Sequence, residues 1–168
     1  MALKIVLLEK KYEKTKFSCG YELLDNYIKK QAKQDVNRDL SACYVLLEDD
    51  DIIKGYYTLS ANSIKREEFE DDLIKKLPPS YVEIPTILLG RLAIDQSIKG
   101  KRLGEALLLD ALKTSLQISK NMGILAVVVD PIDEKAIGFY TQYGFILLPT
   151  SGKMFLPMKT IKDLFKDI

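Results

Sequence analysis

The stretch Lys99-Gly-Lys-Arg-Leu-Gly104 places three cations and two glycines directly before a long apolar pattern of helical spacing. Those residue types at a helix mouth suit an anion. The first turn of a helix leaves its backbone N–H groups without partners. The helix dipole adds roughly half a positive charge at the same end, so a phosphate there receives several N–H bonds at once. Gly100 and Gly104 let the backbone approach a ligand with no Cβ in the way, and Lys99, Lys101 and Arg102 add charge at the rim. The spacing is neither Gly-x-x-x-x-Gly-Lys-Ser/Thr nor Gly-x-Gly-x-x-Gly. On residue types alone, phosphate binding and a plain basic surface loop both remain open.

What the chain lacks narrows its chemistry further. There is no histidine, which removes the Ser-His-Asp triad, the Cys-His pair and nearly all zinc sites. Acid–base work falls to Tyr, Asp, Glu, Lys, backbone or water, and no metal is expected. The two cysteines, Cys19 and Cys43, form no Cys-x-x-Cys, which points to a reducing compartment. No apolar run approaches the roughly 18 residues of a membrane helix. The start, Met1-Ala-Leu-Lys-Ile-Val-Leu-Leu-Glu9, reads as a first strand rather than a signal peptide. The expectation is a cytoplasmic protein without a membrane partner.

The length of 168 residues fits one domain spanning 1–168. The net charge of +1 announces no global field. Its distribution is uneven: nine cations and six anions up to Cys43, three and nine from Tyr44 to Asp72, thirteen and nine from Leu73 onward. Most of these charges read as solvated faces and turns.

Several elements must position the loop. Lys4–Leu8 reads as a short strand and Gly20–Lys33 as an amphipathic helix, with Leu23, Leu24, Tyr27, Ile28 and Gln31 on one side. Ala42–Leu47 and Ile52–Ala61 flank Asp49-Asp-Asp51 as a hairpin. Arg66–Leu77 fits a helix stopped by Pro78-Pro79. Thr86–Asp95 reads as a strand, Leu103–Lys120 as the long helix after the loop, and Gly123–Asp130 as a buried central strand. Asp133–Tyr143 is a helix, Phe145–Leu148 and Lys153–Met158 are short strands, and Thr160–Phe165 closes with a helical turn. A hairpin followed by alternating strands and helices predicts an α+β domain, a mixed twisted sheet with helices on both faces.

Two further stretches give the loop a context: Leu89-Gly-Arg-Leu-Ala-Ile-Asp95 just before it, and Asp133-Glu-Lys-Ala-Ile-Gly-Phe-Tyr-Thr-Gln-Tyr-Gly-Phe145 about thirty residues after. Strand, glycine-basic loop, helix, apolar strand and Asp-x-x-Ala-x-x-x-Tyr-x-x-x-Gly-Phe together resemble the GNAT superfamily of N-acetyltransferases. The resemblance covers essentially the whole chain and is strongest from Leu88 to Phe145. It implies acetyl-CoA as co-substrate. The family loop follows Gln/Arg-x-x-Gly-x-Gly/Ala; here Lys99 stands for Gln/Arg and Arg102 for the middle glycine. By resemblance, the amides from Lys99 to Glu105, through Gly100, Lys101, Arg102, Leu103 and Gly104, hold the pyrophosphate. The backbone of Leu92, Ala93 and Ile94 pairs with the pantetheine arm. Asp133 and Phe139 complete the cofactor set.

The same resemblance makes Tyr140 the general acid, giving its proton to the departing thiolate, with a strand N–H near Ala93 as oxyanion donor. The competing readings are that Tyr140 only packs its ring, or that Tyr143 takes the role. A lysine amine, of pKa about 10.4, is almost wholly protonated at neutral pH, whereas an α-amine near about 8 is not. The strand Thr86–Arg91 supplies no carboxylate base, and Glu83 just before it is not placed by the pattern, which favours an α-amine acceptor. Arg91 either attracts a phosphate or carboxylate of the substrate or forms a salt bridge to Asp95 or another acid.

Local features look like one branch of the family, the GNAT toxins of bacterial toxin–antitoxin pairs, which acetylate aminoacyl-tRNA. They are Phe17-Ser-Cys-Gly20 with Leu24-Asp25, Gln31-Ala32, Gly55-Tyr-Tyr-Thr-Leu59, Leu88–Asp95, and Ile132-Asp-Glu134 with Phe139-Tyr140. That likeness implies aminoacyl-tRNA as substrate, an antitoxin protein as partner, and a homodimer paired through C-terminal strands and helices. A cationic patch of Lys29, Lys30, Lys33, Arg38 and Arg91, joined by Lys65 and Arg66, would meet tRNA phosphates. The alternatives are a GNAT enzyme for a small-molecule or protein amine, and an inactive GNAT domain used as a binding module.

Overall fold

The computed structural model describes residues 3–166; Met1, Ala2, Asp167 and Ile168 of the expected 1–168 span lie outside the described residues. The strands are β1 (Lys4–Leu7), β2 (Ala42–Glu48), β3 (Ile52–Lys65), β4 (Glu83–Ile94), β5 (Ala126–Val129), β6 (Ile146–Leu147) and β7 (Met154–Pro157). The helices are α1 (Glu22–Asn26), α2 (Ala32–Asn37), α3 (Asp71–Ile74), α4 (Leu103–Ser119), α5 (Glu134–Gln142) and α6 (Met158–Leu164). The strand order β1-β2-β3-β4-β5-β7-β6 makes a seven-stranded mixed sheet, and the fold is α+β. The chain groups into two compact units, Met1–Ser60 with Leu89–Ala111, and Ala61–Leu88 with Leu112–Ile168.

In the first unit β1, β2 and the start of β3 form an antiparallel meander. The turn Asp49–Asp51 closes the hairpin, with Asp51 at φ 59°. The register slips after it: Leu47 faces Ile53 but Leu46 faces Gly55, leaving Lys54 as a bulge. A bulge re-aims one side chain and bends its strand, and Lys54 is used in just that way below. The core gathers Phe17, Ile28, Val45, Leu47, Ile53 and Tyr56; burying each such side chain contributes roughly 1.5–3 kcal/mol.

The helix expected over Gly20–Lys33 is present but not uniform. Between α1 and α2 the chain makes a π turn, Tyr27–Gln31, in which the Ala32 amide donates to the Tyr27 carbonyl five residues back. Apolar spacing alone does not show the added residue, because Leu24, Tyr27, Ile28 and Ala32 remain buried on either side of it.

In the second unit the Ala-Val-Val-Val run of β5 is wholly buried, as its unbroken apolar character requires. It pairs antiparallel with β7, which pairs antiparallel with β6. The helix expected over Arg66–Leu77 is interrupted. Arg66–Glu68 form a 3₁₀ turn, Glu70 is extended at φ −63° and ψ 151°, and only then does α3 begin. Phe69 lies at the break, buried with its ring edge-on to Phe155 at 5.1 Å. Arg66 then closes the end of α3, donating to the carbonyls of Ile74 (2.7 Å), Leu77 (2.9 Å) and Pro78 (2.6 Å). Its guanidinium, expected to join a tRNA-facing patch, is engaged by three backbone carbonyls of its own unit.

Candidate functional site

The helix mouth belongs to the first unit. Within α4 the Ala106 amide donates to the Arg102 carbonyl at 3.2 Å. The amides of Leu103, Gly104 and Glu105 come before that bond and have no preceding helical carbonyl to meet. Gly100 is left-handed, at φ 86°, and a Cβ built on it would meet nothing within 4 Å. Gly104 has an ordinary helical backbone, and a Cβ there would touch only Ile94 Cγ1 at 3.8 Å. The chain's own packing therefore does not require glycine at 104, although glycine costs up to about 1 kcal/mol against alanine in a helix. Leaving that space clear suits a ligand phosphate against the backbone. Arg102, where the family pattern has glycine, adopts the left-handed φ of 59°, so the arginine follows a backbone path usual for glycine, at a cost of roughly 1–2 kcal/mol. Lys101 and Arg102 are exposed.

Lys99 has a different role from its neighbours. Its ammonium donates to the Cys19 carbonyl at 3.0 Å and its amide to the Gln96 carbonyl at 3.4 Å. It ties the loop to the segment before α1 rather than standing free at the rim. Below the loop, Gly55 is needed for packing: a Cβ there would lie 3.0 Å from both Ile94 Cδ1 and Leu107 Cδ1 and 3.2 Å from the Ala93 carbonyl oxygen. This glycine brings β3 against Ala93 and Ile94 of β4 and against α4.

The loop's approach is pinned at Asp95. Its Oδ1 accepts from the Ser18 amide at 2.8 Å, and its Oδ2 from the Ser97 amide at 3.0 Å and the Ser97 hydroxyl at 2.6 Å. Lys54, on the bulge, lies 3.7 Å from Oδ2. Burial alone would raise the carboxyl's pKa; the bonds from Ser97 and Ser18 outweigh it and hold the group below its ordinary value.

Asp95 is thus not the partner of Arg91, and the salt bridge weighed for that pair does not form. The Arg91 guanidinium lies over the Tyr27 ring, 3.6 Å from its centroid. Tyr27 in turn stacks on Tyr56 at 6.0 Å and donates its hydroxyl to Asp35 Oδ2 at 2.8 Å. Stacking leaves the edge of the guanidinium available for planar hydrogen bonding to an anion. The sequence places Tyr27 on the apolar face of the first helix but gives no sign that its ring receives Arg91. Lys29 and Lys30 lie on the π turn, Lys33 on α2, and Arg38 caps α2. Lys30 and Arg38 are exposed, Lys29 and Lys33 half-buried.

The second unit supplies the phenol. Asp133 caps α5, its Oδ1 accepting from the Ala136 amide at 2.8 Å. Two turns on, Tyr140 is 8% exposed. Its ring is held edge-on by Phe139 at 5.3 Å and Phe145 at 5.2 Å. Its hydroxyl differs from the others. Among the described residues the buried tyrosines Tyr12, Tyr27, Tyr56 and Tyr57 all donate to a protein oxygen, whereas the Tyr140 hydroxyl makes no protein hydrogen bond. Burial pushes its pKa up to about 12, so the proton stays on oxygen at neutral pH. Tyr143 is half-buried and meets Phe139 edge-on at 5.2 Å. Glu83, at the exposed start of β4, accepts from the Ser63 hydroxyl at 2.9 Å. No group of three or more potential metal ligands occurs among the described residues, and no helix among them is long and apolar enough to cross a membrane.

Residues 7–145 match the acetyltransferase (GNAT) family, and the chain belongs to it. Within that family it is similar to a tRNA-acetylating toxin of Mycobacterium tuberculosis, 31% identical over 154 residues that cover 91% of this chain and 90% of the relative. Among solved structures it is similar to a tyrosine-to-phenylalanine variant of KacT (TM-score 0.92, 34% identity, 98% of this chain and 100% of the other). It is also similar to AtaT complexed with acetyl-methionyl-tRNAfMet (TM-score 0.91, 31% identity, covering 98% and 99%). A third likeness is a tyrosine-to-phenylalanine variant of AtaT bound to the C-terminus of the antitoxin AtaR and acetyl-CoA (TM-score 0.83, 28% identity, covering 98% and 99%).

Proposed function

We propose that this protein transfers acetyl from acetyl-CoA to the α-amine of aminoacyl-tRNA, as the toxin of a toxin–antitoxin pair in the cytoplasm. The observation that carries the chemistry is Tyr140, its ring buried and its hydroxyl protonated and without a protein partner. The amine nitrogen bonds to the acetyl carbon and the carbon–sulfur bond breaks. Tyr140 gives its proton to the departing sulfur and the amine releases one to water, which restores the phenol. The amides of Leu103, Gly104 and Glu105, with the open space at Gly100 and the cations Lys101 and Arg102, hold the diphosphate; the backbone of Leu92, Ala93 and Ile94 lies along the pantetheine arm. Asp133 acts by capping the helix that carries Phe139 and Tyr140, and Lys99 by tethering the loop.

On the acceptor side, Lys29, Lys30, Lys33 and Arg38 meet tRNA phosphates, and Arg91, flat on Tyr27, takes an anionic group near the acceptor end. The support for this acceptor is the similarity to relatives that act on or bind charged tRNA. An antitoxin whose C-terminal segment engages the toxin, as AtaR does AtaT, is the proposed protein partner. The test is transfer of labelled acetyl from acetyl-CoA to total charged tRNA, with deacylated tRNA and the Tyr140→Phe protein as controls. Label on charged tRNA alone, lost in the variant, is the expected result; label on neither, with coenzyme A still bound, rejects this acceptor.

A further inference from the structure

We propose that Asp95 is the positioning residue of the diphosphate-holding loop, a buried carboxylate that sets where the loop's amides stand without touching the ligand itself. The inference rests on the reading that residues 99–105 hold the diphosphate, and concerns how that loop is kept in place.

Asp95 follows the last residue of β4 and caps the short turn Gln96–Ile98 that leads to the loop. It is 6% exposed. Its two oxygens face opposite directions along the chain. Oδ1 reaches the Ser18 amide, 77 positions away, and Oδ2 holds the amide and hydroxyl of Ser97 within its own turn. Backbone bonds reinforce both sides: the Asp95 amide donates to the Lys54 carbonyl and the Gln96 amide to the Ser18 carbonyl, each at 2.8 Å. Lys54 donates to the Ser97 hydroxyl at 3.0 Å, and Lys99 reaches back to the Cys19 carbonyl.

The turn is therefore fastened to the segment before α1 and to the bulge of β3, and Ile98 is buried beneath it. A connection on the surface is ordinarily the mobile part of a fold. This one is held by bonds to an ionised acceptor, which are about twice as strong as neutral ones. Gly100 begins two residues after Ile98, so freedom in the turn would pass straight into the amides that the diphosphate needs. The left-handed Gly20, φ 97°, belongs to the same fastening: a Cβ there would press on Gln96 Nε2 at 3.0 Å.

The experiment compares equilibrium binding of coenzyme A with that of pantetheine, which lacks the diphosphate, to the wild type, Asp95→Asn and Ser97→Ala. Asparagine keeps an acceptor for Ser18 but presents a donor to Ser97; Ser97→Ala removes the hydroxyl's two bonds, to Asp95 and from Lys54, at an exposed position, leaves the carboxylate in place and is the milder change. The expected result is a Kd for coenzyme A raised about tenfold in Asp95→Asn, equivalent to about 1.4 kcal/mol. Ser97→Ala raises it less, and the Kd for pantetheine stays unchanged in both. Equal weakening of both ligands shows a general structural role and overturns the proposal, as does an unchanged Kd for coenzyme A in a variant whose melting temperature has fallen. Should Asp95→Asn not fold, the same two ligands on Ser97→Ala decide. A wild type that binds pantetheine but gains nothing from the diphosphate overturns the reading of the loop as well. Normal coenzyme A binding with no transfer to charged tRNA overturns only the proposed acceptor.

Discussion

The loop of residues 95–105 and the ring of Tyr140 are held by opposite means. The loop is fastened by a buried carboxylate, serines and two lysines bonding across the chain. Tyr140 is held by aromatic edges from Phe139 and Phe145, with nothing bonded to its hydroxyl. The difference fits the roles proposed for the two parts. A loop that presents backbone amides can use its side chains for anchoring. A phenol proposed to give up its proton keeps that proton unshared, and its position comes from apolar contact.

The sharpest way to break this contrast is to remove two hydroxyls that differ only in whether they are bonded. Tyr140→Phe is expected to lower turnover roughly 10²–10⁴-fold, with unfolding unchanged in denaturant titration. Tyr56→Phe, which removes the bond from its hydroxyl to the Leu24 carbonyl, is expected to lower stability by about 1 kcal/mol. A large loss of stability in Tyr140→Phe would show that its hydroxyl has a partner after all.

Alkaline pH probes the same difference as a titration. Burial pushes both Tyr140 and Tyr27 up to about 12, Tyr27 with help from its bond to Asp35. Their folded pKa values lie above the unfolded value of about 10. Their contribution is therefore complete below pH 10 and is lost as pH rises through about 12. Phenolate absorbance should lag behind that of exposed tyrosines and then appear together with unfolding; early, reversible ionisation of Tyr140 would contradict the cage.

Gly55→Ala tests the packing under the loop. With contacts of 3.0 Å to Ile94 and Leu107, the added methyl is expected to cost about 1–3 kcal/mol, read from the urea midpoint. The smallest effect belongs to Arg91→Lys. It keeps the charge but loses the flat stack on Tyr27, worth about 0.5–1 kcal/mol. The KM for charged tRNA should rise about twofold to fivefold while that for acetyl-CoA stays constant.

Much of this was legible in the residues. The apolar run of β5, the hairpin around Asp49–Asp51 and the basic loop before α4 are local patterns, and local patterns survive folding. The ring cage was half visible, since Phe139, Tyr140 and Phe145 lie within one short motif. The partners of Asp95 and Lys99 were not visible: they join positions 77 and 80 apart in sequence, and periodicity carries no information at that range. Arg91 was weighed against a nearby acid, and the ring that receives it came from another helix. The break at Phe69 escaped as well, and the ring that Phe69 meets there, Phe155, is likewise distant in sequence.

The π turn at Tyr27–Gln31 has a consequence for how this segment tolerates length change. A π turn amounts to one surplus residue accommodated in a helix, and each helical residue turns the chain by about 100°. Deleting Gln31 from that turn would allow α1 and α2 to merge into one regular helix without removing a single charge. It would also rotate Lys33 and Arg38 a quarter-turn or more around the axis relative to Leu24, leaving the composition of the cationic face intact and its direction wrong.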